Sequence, residues 1–275
     1  MYKRFGWTNK ELFEIGLGTW YGKNWILSSL IKRDIDKESR IKAIRRGLEL
    51  GADIIDTAEI YQTEELVGKA IEGFKRESIF ISSKVWLTNL SARRLNKALS
   101  KSLERLKTDY IDLYFIHYPN PLIDLKETAK ALEKAVEENK IRYIGLSNFN
   151  LKEIKAFQSL LEKNKIAAIQ LRYNLIDREV EKDILKYCID NDIAFMAYYP
   201  LREGELTNDS RLLSIASKYN ATPAQIALKW LSSKKNVFPI PRASNIKHVE
   251  ENINASNIII DKSDLEALDN LFVKR

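Results

Sequence analysis

The 275-residue sequence predicts a single-domain (β/α)8 barrel over residues 1–275, with a short N-terminal hairpin and an extra C-terminal helix. Three observations carry that expectation. Short apolar runs rich in Ile, Val, Tyr and Phe alternate with amphipathic stretches of helical length. The alternation repeats eight times at about 34 residues per unit, the spacing of a (β/α)8 barrel. No Gly/Ser-rich or Pro-rich linker, repeat or low-complexity tract interrupts it.

In chain order, the first fifteen residues read as a hairpin closing the barrel bottom, with Thr8-Asn9 between two short mixed runs. Strands are expected at 14–17, 53–56, 79–84, 111–117, 141–146, 167–171, 193–198 and 237–240. The run Tyr110-Ile111-Asp112-Leu113-Tyr114-Phe115-Ile116 is almost continuously apolar, as a strand buried on both faces should be. Helical periodicity lies near 38–51, 63–73, 91–106, 126–138, 150–163, 179–190, 209–233 and 245–254. Thr222-Pro223-Ala224-Gln225 combines an N-cap, a proline at the first helical position and a capping-box glutamine. Asn150 with Glu153 follows the same logic, as does Ser263 with Glu266 at the start of the extra helix over 263–272.

Composition excludes several classes. Hydrophobic residues make up 45% and charged residues 30%, which fits a large core under a polar surface. No stretch approaches the ~18 apolar residues of a membrane span, and the start Met1-Tyr2-Lys3-Arg4 lacks a signal-peptide run. A cytoplasmic protein without a membrane partner is the expectation. One cysteine, Cys188, rules out an internal disulfide framework, and with only His117 and His248 no His/Cys zinc site is expected. The net charge is +7, yet Lys and Arg interleave with Glu and Asp, as in Lys130-Ala131-Leu132-Glu133-Lys134. That pattern is a solvated helix face and not a nucleic-acid patch, while it leaves room for an anionic ligand such as a phosphorylated cofactor.

Active sites of such barrels lie at the C-terminal ends of the strands. The second strand ends at Asp56, the third at Lys84 and the fourth at His117. Neighbouring strands run about 4.8 Å apart, so the three ends converge on one small volume. Tyr61, five residues past Asp56, can lean over the same spot. A phenol is a poor acid near neutrality, and a neighbouring Lys84 ammonium is expected to lower the Tyr61 pKa. Asp56 is expected to pair with Lys84 and keep it charged, and His117 to bond a carbonyl or relay a proton. A tuned phenol suits carbonyl reduction, and the hydride must come from a cofactor because no side chain supplies one. Gly16-Leu17-Gly18-Thr19-Trp20-Tyr21-Gly22 misses G-x-G-x-x-G at Tyr21, so a dinucleotide has to bind without a Rossmann turn.

These residues resemble the aldo-keto reductases nearly end to end. Gly16-Leu17-Gly18-Thr19-Trp20 is similar to the first-strand signature of that family. Asp56-Thr57-Ala58-Glu59-Ile60-Tyr61 resembles its catalytic Asp and Tyr motif. Ser83-Lys84-Val85-Trp86 and Asp112-Leu113-Tyr114-Phe115-Ile116-His117-Tyr118-Pro119 carry the Lys and His. Lys140 through Phe149 and Ile240-Pro241-Arg242-Ala243-Ser244 through Asn252 complete the match. The resemblance implies reversible carbonyl/alcohol interconversion with NADPH, preferred over NADH, on a small aldehyde or ketone. It implies Ser147, Asn148 and Gln170 on the nicotinamide carboxamide, and Tyr198 stacked on the ring. Thr19, Trp20, Asp56, Tyr199, Pro200 and Leu201 are implied along the cofactor. Arg242, Ser244, Lys247, His248, Glu251 and Asn252 are implied around its adenosine end.

Three departures stand out. Tyr199 replaces a frequent Ser and is expected to crowd the pyrophosphate or repack its loop. Tyr118 replaces a frequent Trp after the catalytic His, and His248 replaces a common Arg. Trp20, Trp86 and Tyr118 are expected to form an aromatic substrate wall. With Arg275 soon after the last helix, no long C-terminal substrate loop is expected, which implies an open, permissive pocket. A monomer or weak homo-oligomer is the expectation.

Two rival readings can be separated by test. A strand-end lysine such as Lys84 can form a Schiff base in an aldolase, but Asp56 would hold it protonated. A nicotinamide-nucleotide sensor or partner subunit would keep Tyr198, Gln170 and Arg242 without turnover, and has no use for Tyr61 or Lys84.

Overall fold

In the computed structural model, which describes residues 1–30 and 36–272, eight parallel strands run side by side in chain order. Ahead of them, β1 (Tyr2–Arg4) and β2 (Glu11–Phe13) pair antiparallel as the expected hairpin. The barrel strands are β3 (Leu17–Gly18), β4 (Ile54–Asp56), β5 (Phe80–Val85), β6 (Ile111–Ile116), β7 (Ile141–Ser147), β8 (Ile166–Arg172), β9 (Ala194–Tyr198) and β10 (Val237–Pro239). The first and last are joined by Gly16 N–H to Pro239 O and Gly18 N–H to Pro241 O, both 2.9 Å, which closes the sheet. Gly18 permits that approach, because a Cβ there would lie 2.6 Å from the Ile240 carbonyl oxygen.

Eleven helices are described. They are α1 (Lys23–Leu30), α2 (Lys37–Glu49), α3 (Glu64–Ala70), α4 (Ala92–Leu106), α5 (Leu125–Glu137), α6 (Leu151–Gln158), α7 (Ile184–Asp190), α8 (Ser210–Lys218), α9 (Pro223–Ser232), α10 (Ile246–Asn254) and α11 (Lys262–Leu271). Two apolar layers result. Ile54, Phe80, Leu113, Phe115, Met196 and Phe238 fill the barrel interior with Phe5 of the hairpin, while a larger cluster packs helices onto the outer sheet face. Phe5 lies 5.0 Å from the Phe80 ring and 4.9 Å from the Phe238 ring, plugging the floor. No helix among the described residues is long and apolar enough to cross a membrane.

Several boundaries differ from the sequence reading. The first strand is Leu17–Gly18 and not 14–17, since buried Glu14 pairs with Lys229 at 3.0 Å beneath the barrel. The segment 209–233 is two helices: Asn220 takes a left-handed φ of 49°, and Pro223 lacks the N–H needed to continue α8. The capping boxes at Thr222/Gln225 and Asn150/Glu153 both form. Asp183, at φ −151°, divides 179–190 into a 3₁₀ turn and α7. Ser263 does not cap α11. The N-cap is Asp261, and Asp264 in the first turn accepts from Lys218 and Tyr219 instead. Helix α1 had no periodic signal of its own.

Candidate active site

Strand alternation builds the deepest layer. Ser82 and Lys84, two residues apart on β5, share the inward face, and register sets Asp56 of β4 opposite Ser82. Lys84 is fully buried, and its Nζ donates to Asp56 Oδ2 at 2.7 Å and to the Thr57 carbonyl at 2.8 Å. Asp56 Oδ1 accepts from Ser82 Oγ at 2.7 Å and from Gln170 Nε2 at 2.8 Å. The buried carboxylate therefore has donors on both oxygens, the condition under which a buried ion pair is tolerated. Burial lowers the Lys84 pKa, with Asp56 pulling it back up.

Above this pair, two side chains meet. The Tyr61 hydroxyl lies 3.4 Å from His117 Nε2, and Lys84 Nζ lies 4.9 Å from the Tyr61 ring centroid. His117 extends β6 by one residue and is held by its own N–H to the Val85 carbonyl. Burial, helped by the Lys84 charge, pushes its pKa down to about 2, so the ring is neutral at physiological pH. Its Nδ1 is buried without a partner. Tyr61 departs from the sequence expectation. Burial first, then the negative charge of Asp56, raise its pKa well above the usual phenol value. The ammonium sits near the ring and is engaged by Asp56 and Thr57, so it does not offset the burial of the hydroxyl.

A cavity of about 930 Å³ opens from this point across the C-terminal ends of the strands. Trp20, Trp86 and Tyr118 line it as the expected aromatic wall: Trp20 packs 5.0 Å from the Tyr61 ring, Trp86 5.3 Å from His117, and Tyr118 stacks on His117 at 5.1 Å. On the facing side, Asn148 adopts φ 62°, a conformation its short polar side chain tolerates. Asn148 donates to the His117 carbonyl at 2.9 Å and accepts from the Tyr198 hydroxyl at 2.8 Å. Ser147, Gln170, Pro200, Leu201, Arg242, Ser244, His248, Glu251 and Asn252 also line the cavity. Among the described residues, no group of three or more His, Cys, Asp or Glu side chains can hold a metal ion.

The profile of the Aldo/keto reductase family matches residues 14–272. The chain belongs to this family. As an aldo-keto reductase it is an oxidoreductase, and its relatives agree. It is 34% identical over 266 residues to a methylglyoxal reductase of Escherichia coli, covering 94% of this chain and 90% of that one. It is likewise 34% identical to a glyoxal reductase of Bacillus subtilis, covering 84% and 82%. Among solved structures, a thermostable aldo-keto reductase bound to the inhibitor epalrestat superposes with a TM-score of 0.91 at 40% identity, covering 98% and 99%. An aldo/keto reductase of Klebsiella pneumoniae in complex with NADP and acetate gives 0.88 at 33%, covering 100% and 96%.

Within this reductase the predicted residues do not all converge. Lys84 is fully buried behind the Tyr61 ring and does not line the cavity. Lys247 is exposed on α10 and absent from the cavity wall, whereas His248 on the same helix and Ser244 just ahead of it line the cavity. The Thr19 hydroxyl is spent on the Asp56 carbonyl and Thr63. Glu251 accepts from Thr222 and steadies the start of α9. Tyr199 adopts φ 60°, and Arg172 lies over its ring at 5.0 Å. Arg172, Lys23 and Ile26 also line the cavity and had been missed. Arg172 closes an apolar strand and was legible by the same rule that found His117; Lys23 and Ile26 ride on α1 and carried no signal.

Proposed function

We propose that this aldo-keto reductase reduces the carbonyl of small aldehydes or ketones with NADPH, within one catalytic unit spanning 1–275. The observation that carries it is the convergence of the Tyr61 hydroxyl and the neutral His117 Nε2, 3.4 Å apart, over a fully buried Lys84–Asp56 pair. The donor set fits the cofactor. Ser147, Asn148 and the Gln170 carbonyl oxygen offer polar atoms for a carboxamide beside the Tyr198 ring, and Arg242 and Ser244 precede the N-terminus of α10, where phosphate is favoured. The Klebsiella relative was solved with NADP, and a second structure of an aldo-keto reductase from that organism with NADPH. At about 930 Å³, the cavity is at the upper end of ligand pockets, with room for a substrate beside a cofactor.

NADPH, when bound, supplies the hydride that reaches the carbonyl carbon. The chain manages the oxygen. His117, neutral throughout the working range, donates a hydrogen bond to the carbonyl oxygen and orients it. Tyr61 holds its proton because burial and Asp56 oppose phenolate formation, and releases it only as negative charge grows on the substrate oxygen. At that moment the Lys84 charge, near the ring, begins to attract the developing phenolate, an interaction stronger in the transition state than before it. Water re-protonates Tyr61 through the cavity mouth. Trp86 and Tyr118 shield the reacting oxygen with apolar surface.

The test is NADPH oxidation at 340 nm with an aldehyde panel headed by methylglyoxal and glyoxal, which the names of the two bacterial relatives put first. The parent should turn over, and Tyr61→Phe should lose about 10³-fold or more while binding NADPH normally. Cofactor binding without turnover of any carbonyl would move the assignment to a nucleotide sensor.

A further inference from the structure

Tyr61 does not sit on a strand. It ends a three-residue 3₁₀ turn, Glu59–Tyr61, followed by Gln62 in the left-handed region, and its N–H bonds back within the turn to the Ala58 carbonyl at 3.0 Å. Its own carbonyl is held from outside: the Trp25 indole N–H on α1 donates to it at 3.1 Å. Trp25 is 4% exposed and packs with Tyr21 and Leu66. Its ring meets Tyr21 edge-on at 5.4 Å, and the Arg40 guanidinium of α2 lies over both rings, 4.5 Å from Trp25 and 4.8 Å from Tyr21. The indole is thus clamped from α2 and α3 and offers its one polar atom to the turn that carries the phenol.

We infer that Trp25 is a positioning residue for Tyr61, pinning its carbonyl and thereby the phenol's height over Lys84 and its distance to His117. The inference rests on Tyr61 being the proton donor. A hydroxyl 3.4 Å from its neighbour has little slack, and misplacements near 1 Å reduce rates by about 10²-fold. Ordinary propensity does not explain the arrangement: Trp25 on α1 and Tyr21 just ahead of that helix form an aromatic pair that closes on the Tyr61 turn and α2.

The experiment compares Trp25→Phe, which keeps the stack and removes the N–H, with the parent. kcat/KM for an aldehyde should fall about tenfold or more, the NADPH Kd should stay within about twofold, and the solvent deuterium isotope effect on kcat/KM should rise as proton transfer slows. In the Tyr61→Phe background the same substitution should change little, because no phenol remains to be positioned. Arg40→Met, which loosens the clamp but keeps the N–H, should give the same signature at smaller size and serves if Trp25→Phe does not fold. Parental kcat/KM and isotope effect in Trp25→Phe would overturn the inference, as would a loss that persists undiminished in the Tyr61→Phe background. Full turnover by Tyr61→Phe itself would instead overturn the role of Tyr61.

Discussion

The two ends of the barrel treat buried charge differently. At the floor, Asp112 receives Arg76 at 2.7 Å, Arg142 at 3.0 Å and the Ile81 N–H at 3.0 Å, and both guanidiniums stack on Tyr110. Glu14 pairs with Lys229, and Lys3 donates to the Ser232 and Val237 carbonyls. The Asp112 and Glu14 carboxylates are thus matched by cations inside the fold, under a hydrophobic plug. At the mouth, Lys84 and Asp56 are matched, but His117 Nδ1 has no partner and both His117 and Tyr61 are shifted against ionisation by burial. The floor spends polar groups on stability. The mouth keeps them short of partners beside an open cavity, where a substrate oxygen can complete the set.

Removing the Lys84–Asp56 ion pair at the mouth should have the largest effect. Lys84→Met leaves Asp56 charged with only Ser82 and Gln170 as donors, so stability should fall by about 3–5 kcal/mol and turnover by about 10³-fold or more. Denaturant midpoints and 340 nm rates read the two losses separately. Adding Asp56→Asn should recover stability without recovering turnover; recovery of both would mean that the pair serves packing alone.

The floor offers the opposite test. Asp53, 9% exposed, accepts from the Phe13 N–H, and burial raises its pKa to about 6. A carboxyl whose folded pKa lies above its unfolded value favours folding below the unfolded pKa and loses that contribution as pH rises through the folded one. Asp53→Asn keeps the acceptor and removes the charge, so it should stabilise the protein at pH 8 by up to about 3 kcal/mol and change little below pH 4. Its specific activity should equal the parent's. A stabilisation of Asp53→Asn over the parent that is no larger at pH 8 than at pH 4 would mean that burial does not penalise the Asp53 charge.

The smallest effect expected is a flat line. With His117 held neutral down to about pH 2 and Tyr61 protonated well above its usual range, kcat/KM should show no ionisation near 6.5 between pH 5 and 8. A limb near 6.5 that vanishes in His117→Gln would mean that the imidazole ionises during the reaction.

Much of the barrel and the quartet was legible in advance, because both rest on local signals. Short continuous apolar runs mark strands buried on both faces, period 3.6 marks helices, and a polar residue ending an apolar run marks the rim, which picked out Asp56, Lys84 and His117. Capping chemistry at Thr222 was equally readable, although the split between α8 and α9 that it signalled was not drawn. Other features had no local signature. Trp25 lies on a helix without amphipathic period, and Lys247 differs from its neighbour His248 only in which way α10 presents it.

The amino-acid sequence by itself determined the eight repeats, the residue types at each strand end and the family they resemble. Tertiary structure alone decided which atoms meet. Gln170 reaches Asp56 across 114 residues, and Trp25 reaches the Tyr61 carbonyl from another helix. It also set the direction of the Tyr61 pKa. The convergence of the strand ends suggested that Lys84 would lower it, but the outcome depended on how deeply the hydroxyl is buried and where the ammonium points. Desolvation and Coulomb interactions are functions of three-dimensional distance, and a linear pattern fixes those distances only once the barrel has closed.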